Sequence, residues 1–298
     1  MIDRDNEYFL CAVEERSLAR AALRLGVSQS ALTRAVQRLE ARHGLKLLER
    51  APRGVEPTAA GELLARSLRE MAARAETTAR QLRDLSGGRR GEVRVGVGQT
   101  IARRVREALL PRLLQDRPGA TLQLDTGLNY ALVPALEDGR YDFVVSTLTV
   151  GAGEALACTV LLRDELVPVV RAGHPLARAV RVTPADVFAC PLIGSGPDTA
   201  FWRRMRETAA ALGERLPPLT VSTNDYEIIV VAVQASEGVG FVPRSHAATT
   251  PGLVALAVPG LAFPRTVGLI RRRDADLSPT ARRAAELIEG AFAQSPAR

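Results

Sequence analysis

Apolar residues in the first quarter of the chain recur at helical spacing, in three short rows. Phe9, Leu10 and Val13 put an inward stripe on a helix over residues 6–14. Leu18, Ala21, Ala22 and Leu25 do the same one segment later, with Ser17 in the N-cap position and Gly26 suited to the left-handed residue that ends a helix. Ser28 caps a third helix, ended by Gly44. Leu47 to Arg50 and Val55 to Pro57 then read as two short strands around the turn residues Pro52, Arg53 and Gly54. From 59 to 85 there is no proline, and Leu64, Leu68, Met71, Ala75, Thr78, Leu82 and Leu85 keep a heptad spacing. That spacing predicts one long helix with a seam for a second copy. The run Ser86-Gly87-Gly88-Arg89-Arg90-Gly91 breaks it and supplies a hinge.

Beyond the hinge the period alternates between two and 3.6. Val93, Val95 and Val97 mark a strand; 101–115 reads as a helix kinked or split by Pro111; Leu122 and Leu124 mark another strand. Short apolar strands follow at 143–145, 167–170, 239–242 and 267–270, separated by helical stretches. The pattern predicts an α/β domain of about 200 residues with largely parallel sheets.

Composition narrows the class. The 298 residues are 46% hydrophobic, enough for several packed cores, and no apolar run reaches the ~18 residues of a membrane span. The polar start, MIDRDNEYF, does not have the layout of a secretory signal, so the expected location is cytoplasmic. Cys11, Cys158 and Cys190 are far apart and read as ordinary core thiols rather than a disulfide framework or a metal site. Net charge is +7, and residues 1–90 hold 17 basic against 12 acidic side chains. Between Ser28 and Arg53, six cations face only Glu40 and Glu49. A positive field there points to a polyanion.

The third helix shows how that polyanion is read. At 100° per residue, Leu32, Val36 and Leu39 fall within about 60° of each other and face inward. Ser30, Thr33, Arg34, Gln37 and Ala41 lie opposite. Such a face suits the DNA major groove: arginine matches the guanine edge, glutamine the adenine edge, and small residues permit close approach. Ser28 and Gln29 open this helix, and Arg38 sits to one side, placed for phosphates or surface ion pairs, as does Arg42. Arg50 and Arg53 in the hairpin are expected to meet the phosphate backbone.

These residues carry a family resemblance. Ser17, Ala21-Ala22, Leu25, Ser28-Gln29-Ser30-Ala31-Leu32-Thr33, Leu39-Glu40, Gly44 through Arg50 and Pro57-Thr58-Ala59-Ala60-Gly61 resemble the N-terminal domain of LysR-type transcriptional regulators. Ser30 stands where proline is usual, Thr33 where serine is, Leu48 where phenylalanine is and Pro57 where leucine is. The first two changes lie on the reading face, so the operator is expected to differ from the common one. The segments 136–142, 171–177 and 236–243 are similar to later motifs of the family, so the resemblance spans the chain. It implies a winged helix-turn-helix domain (1–58), a linker and dimerisation helix (59–86) and a hinge (87–91). It further implies a two-lobed α/β effector domain of periplasmic-binding-protein type II character, with lobe I at 92–163 and 268–298 and lobe II at 164–267. Two strands would cross between the lobes near 163–168 and 264–268. Homodimers, tetramers and contact with RNA polymerase are implied as well.

Effector contacts should come from strand-to-helix loops, where free N–H groups favour anions. The candidates are Gln99, Thr100, Asn129, Thr147, Thr199, Phe201 and Thr223, with Asp198 and Trp202 close by and Phe201 and Trp202 equally suited to the core. Catalysis has no such constellation. Gly96-Val97-Gly98-Gln99-Thr100-Ile101 puts isoleucine where a dinucleotide fingerprint needs its third glycine, and Gly194-Ser195-Gly196 is no nucleophile elbow. The sole lysine is Lys46, and His43, His174 and His246 are scattered, His174 in an expected surface loop. No cofactor or metal is called for. The expectation is a DNA-binding regulator switched by a small molecule; the alternative is a solute-type binding module.

Overall fold

The computed structural model describes residues 3–52, 54–87, 91–148, 155–196, 199–223 and 225–293, the side chains of Arg80 and of residues 83–87 aside. Arg53, Asp198, hinge residues 88–90 and the Leu85 side chain therefore lie outside the description. Helix α1 (Arg4–Glu15) is capped by Asp3, which accepts from Asn6 N at 2.9 Å. Helices α2 (Leu18–Leu25) and α3 (Gln29–His43) start at Ser17 and Ser28 and end on Gly26 and Gly44, both at φ +66°. Phe9, Ala12, Ala21, Leu32, Ala35 and Leu39 are fully buried among them.

Strands β1 (Leu48–Ala51) and β2 (Gly54–Pro57) pair antiparallel as the wing. Gly54 is required twice over. Its φ is +136°, and a Cβ there would lie 2.1 Å from the Arg16 carbonyl oxygen. Val55 N donates to that same oxygen at 3.1 Å, stitching the wing to the turn between α1 and α2.

Helix α4 (Ala59–Gly87) is one unbroken rod that runs a residue into the expected hinge. Thr58 starts it by accepting from Gly61 N and donating to Lys46 O at 2.7 Å. The heptad seam divides. Leu64 and Leu68 pack on the chain's own N-terminal core, whereas Met71, Ala75, Thr78 and Leu82 are exposed. A different face, Ala73 and Thr77, is buried against the α/β domain. There Gly139 presses on Ala73, and Arg272 donates to Leu136 O (2.6 Å), Tyr141 O (3.2 Å) and Thr77 Oγ1 (3.2 Å). Gln81 Nε2 adds a bond to Asp276 O at 2.7 Å.

In the α/β domain, β3 (Glu92–Gly98) leads through a 3₁₀ turn (Gln99–Ile101) into α5 (Ala102–Asp116). Helix α5 carries Pro111 without a break, so the expected split is absent. Next come β4 (Thr121–Gly127), α6 (Asn129–Glu137) and β5 (Phe143–Thr147). Strand β6 (Leu156–Arg171) is followed by α7 (Pro184–Phe188), β7 (Leu192–Gly194), α8 (Ala200–Ala211), β8 (Leu219–Ser222), α9 (Tyr226–Gln234) and β9 (Val239–Pro243). The chain closes with α10 (Arg244–Ala247), β10 (Leu253–Ala255), β11 (Phe263–Arg272) and α11 (Pro279–Ala293).

The sheet is mixed rather than largely parallel. Strands β4, β3 and β5 run parallel in one lobe, and β9, β7 and β8 in the other. Between them β6 and β11 lie antiparallel along their length and pass from lobe to lobe. Each lobe has its own core: Val105, Leu109, Val267 and Ile288 in one, Trp202, Phe241, Leu261 and Phe263 in the other. Two local expectations fail. Cys158 is exposed rather than in the core. His174 is 3% exposed, its Nδ1 accepting from Leu176 N to cap the 3₁₀ turn Pro175–Arg178.

Candidate functional site

Helix α3 is tethered at its start by local bonds. Ser28 Oγ accepts from Ala31 N at 3.2 Å and shares a hydrogen with Ser30 Oγ at 3.1 Å. The Thr33 hydroxyl donates back to Gln29 O at 2.8 Å and is half-buried. Its polar group is thus occupied within the helix. Ser28, Gln29, Ser30, Arg34 and Gln37 are exposed on one side, while Leu32, Val36 and Leu39 are buried on the other. The stripe that would enter a groove faces outward.

The donor side chains around α3 fall into two sets. Arg38 makes a two-point contact with Asp5, at 3.0 and 2.5 Å, and Arg42 pairs with Asp3 at 2.8 Å. Arg24 is held by Glu14 and Glu15. Of the two roles open to Arg38, the structure uses the ion pair. Arg34, Gln37 and Arg50, by contrast, are exposed with no hydrogen bond or ion pair among the described residues. Their donors are open to solvent.

Glu40 fixes the route from α3 into the wing, a role that sequence reasoning missed. It is 8% exposed and accepts from Leu47 N at 3.0 Å, from Leu48 N at 3.4 Å and from Lys46 Nζ at 2.6 Å. Burial alone would raise its carboxyl pKa; the Lys46 ammonium and the two backbone donors outweigh that and hold it below the usual value. A glutamate four residues before the glycine that ends the helix, next to Leu39 of the inward stripe, was the available signal.

The expected effector residues gather in two groups at strand C-terminal ends. In the first lobe, Gln99 and Thr100 follow β3, and Asn129 Nδ2 donates to Thr147 O while Asn129 Oδ1 accepts from Ser146 Oγ. Gly98 leaves the space that Ser146 occupies, since a Cβ there would lie 2.3 Å from Ser146 Oγ. In the second lobe, Thr199 caps α8 and sits 3.3 Å from Ser195 Oγ, while Thr223 binds Asp225 N through its hydroxyl and Gly194 O through its N–H. Phe201 is half-buried and packs on Trp202, Phe241 and Phe263 with ring centroids 5.3–5.5 Å apart. Of the seven, Thr100 lines a cavity of about 450 Å³, walled by the start of α5, by Asp164 of β6 and by α10. Ser146, Asp164 and Arg265 at this junction were not anticipated. An arginine inside the apolar strand Phe263–Ile270 was the cue for the last.

Residues 4–62 match the bacterial regulatory helix-turn-helix protein family, lysR family, and residues 86–293 match the LysR substrate binding domain. An SDS degradation transcriptional activation protein from Pseudomonas sp. (strain ATCC 19151) is 31% identical, covering 99% of this chain and 96% of its own. The HTH-type regulator YdcI of Escherichia coli K12 is 28% identical over 91% of this chain and 89% of its own. Among solved structures, full-length CbnR complexed with target DNA is 25% identical, with a TM-score of 0.52, covering 97% of this chain and 99% of that one. A full-length OxyR variant from Pseudomonas aeruginosa shares the fold at 22% identity and a TM-score of 0.60, covering 99% and 98%. With both domain matches in place and a relative of this identity aligned over nearly its whole length, the chain belongs to the LysR family of bacterial helix-turn-helix transcriptional regulators.

Proposed function

We propose that the exposed face of α3 reads base edges in the major groove, with Arg34 and Gln37 as the specifying contacts. Ser28, Gln29, Ser30 and Thr33 let the helix approach closely, and Arg50 and Arg53 of the wing meet phosphate. Arg38 joins them only by exchanging Asp5 for a phosphate. The observation that supports this reading is the division of the polar side chains: among the described residues Arg34, Gln37 and Arg50 have no partner, while Arg38 and Arg42 are ion-paired. CbnR, similar in fold and sequence, is known in complex with its target DNA. Competition gel-shifts on the upstream region of the protein's own gene test the reading. Arg34→Ala is expected to lose sequence-selective binding with fold and assembly intact; undiminished selectivity in that variant sinks it.

The division into a DNA-binding domain (1–58), a linker helix (59–86), a hinge (87–91) and two lobes (92–163 with 268–298; 164–267) belongs to the same reading. It is supported by the unbroken α4 and by β6 and β11 passing between separate cores. A small molecule bound between the lobes, against Gln99, Thr100, Asn129, Thr147, Thr199, Phe201 and Thr223, favours one lobe arrangement by binding it more tightly. The exposed Met71, Ala75, Thr78 and Leu82 form the seam of a homodimer, and paired dimers give a tetramer that bends DNA and meets RNA polymerase in the cytoplasm. Protection of one and the same DNA footprint with and without a proven ligand counts against the switching step.

A further inference from the structure

Arg16 takes a backbone conformation that this chain otherwise gives to glycine. It ends α1 at φ +49° and ψ +26°, and no other non-glycine residue among those described has a positive φ. Helices α2 and α3 end in the same way on Gly26 and Gly44, both at φ +66°. The left-handed region crowds a Cβ against the following carbonyl, so an arginine sits there at a cost that glycine escapes. The main chain does not account for the choice. Arg16 N donates to Val13 O at 3.4 Å, and Arg16 O accepts from Val55 N at 3.1 Å. A glycine would keep both bonds and lose only the side chain.

That side chain is exposed and has no hydrogen bond, ion pair or ring contact among the described residues. The carboxylates next to it in the chain are taken. Glu15 pairs with Arg20 at 3.6 Å and with Arg24 at 3.1 Å, and Glu14 pairs with Arg24 at 2.9 Å. Across residues 3–52 the arginines divide. Arg4 lies over the Tyr8 ring at 5.8 Å, and Arg20, Arg24, Arg38 and Arg42 are ion-paired. Arg16, Arg34 and Arg50 have no partner among the described residues. The fold also sets Arg16 against the wing. A Cβ on Gly54 would lie 2.1 Å from Arg16 O, and Val55, bonded to that oxygen, is the cross-strand partner of Arg50. The main chains of Arg16, Val55 and Arg50 therefore lie side by side, with an unpaired arginine on each flank of β2.

We propose that Arg16 is a further DNA contact, gripping the phosphate backbone beside the wing. This rests on reading the wing as a part of the domain that meets phosphate, and it adds a residue that lies in neither the wing nor the reading helix. A guanidinium offers a planar pair of N–H donors to phosphate oxygens. Such a contact adds affinity and fixes register without choosing a sequence. Since Arg16 is also the main-chain anchor of Val55, a phosphate held by its side chain holds the wing to the duplex as well.

The test uses the full chain with two duplexes of equal length, one from upstream of the protein's own gene and one of random sequence, each titrated at several salt concentrations. Arg16→Gly and Arg16→Asn both accept the left-handed conformation, and Arg16→Lys keeps the charge. The glycine variant is expected to melt no lower than wild type. Its Val55 amide should stay as protected from exchange, which shows the wing still attached. Its affinity should fall about fivefold for each protomer bound, alike on both duplexes, and the slope of log K against log salt should drop by about one per protomer. Arg16→Asn should behave the same, and Arg16→Lys should keep the slope. Affinity and slope unchanged in the glycine and asparagine variants overturn the proposal. A loss confined to the upstream duplex overturns it too, because phosphate carries no sequence information. So does an equal loss in Arg16→Lys, or a loss seen only where Val55 exchange has quickened, since displacement of the wing then accounts for it. Random DNA suffices for the readout, so Arg16 is judged separately from base reading by Arg34.

Discussion

Replacing Glu40 by alanine removes the side-chain acceptor that ties the start of the wing to α3. Its three contacts are unequal. The Lys46 ammonium is 77% exposed, so its ion pair is solvent-screened and contributes at most about 1 kcal/mol. The bond from Leu48 N is long at 3.4 Å and counts for little. Leu47 N, at 3.0 Å and on a residue 2% exposed, dominates, because stranding a buried N–H costs about 1–3 kcal/mol. Local opening around Leu47 should therefore become easier by about 2–3 kcal/mol in Glu40→Ala, a rise of roughly 30- to 150-fold in exchange of that amide. Glu40→Gln keeps an acceptor and loses only the charge, so about fivefold is expected there. The pH dependence has a definite sign. The folded carboxyl pKa is depressed, so its stabilisation is fully present above the unfolded value of about 4.3 and fades as pH falls through the folded one. Amide hydrogen exchange followed by NMR, corrected for intrinsic rates, reads both effects. Exchange at Leu47 and Leu48 within twofold of wild type in the alanine variant would refute the reasoning.

Other substitutions separate the parts. Arg34→Ala should cost about 1–3 kcal/mol on the operator and little on random DNA, whereas Arg50→Ala should weaken both alike and reduce the slope of log K against log salt by about one; titrations at several salt concentrations distinguish them. Gly54→Ala places a Cβ 2.1 Å from Arg16 O in a backbone region closed to side chains, so it should detach the wing and lower DNA affinity while leaving the effector domain's melting unchanged, as calorimetry would show. Met71→Glu with Leu82→Glu puts charges on the exposed seam without touching Ala73 or Thr77; sedimentation should show smaller assemblies with helix content retained, and an unchanged distribution would remove the seam from the interface.

Much of the N-terminal domain was legible because its rules are local. Ser17 and Ser28 cap the helices they precede, Gly26 and Gly44 end them, and the 100° arithmetic on Leu32, Val36 and Leu39 placed the polar stripe outward, as found. What depended on partners distant in sequence was not legible. A heptad spacing says that a face is apolar and not what covers it, so Leu64 and Leu68 could not be told from Met71 and Leu82 until the folded neighbour was in place. Of strand β6 the apolar pattern marks only 167–170, because Arg163, Asp164 and Glu165 interrupt it; those residues sit where the strand passes between lobes, and a strand there has no single core to face. His174 reads as a loop residue, yet Glu237, 63 positions away, comes up beside it.

The same geometry constrains how a ligand between the lobes can reach DNA. The contacts that seat α4 on the α/β domain are Ala73 against Gly139, Thr77 with Arg272 and Gln81 with Asp276. Each of these partners lies in the lobe built on β3, β5 and the C-terminal half of β11. At its other end α4 is packed into the DNA-binding domain through Ala65 and Leu68, with Gly61 pressed against Leu47 O. Reading helix, linker and first lobe therefore form one mechanically continuous stretch, and rotating the second lobe about β6 and β11 leaves those contacts in place. In the proposed assembly, a signal that moves only the second lobe must pass to the DNA through whatever that lobe touches in a neighbouring copy. Ligand should accordingly shift the spacing between reading helices, and hence the footprint, without changing the affinity of a single DNA-binding domain for a single half-site. On this argument regulation is a property of the assembly, and a seam variant that still binds ligand but no longer associates should bind DNA indifferently to it.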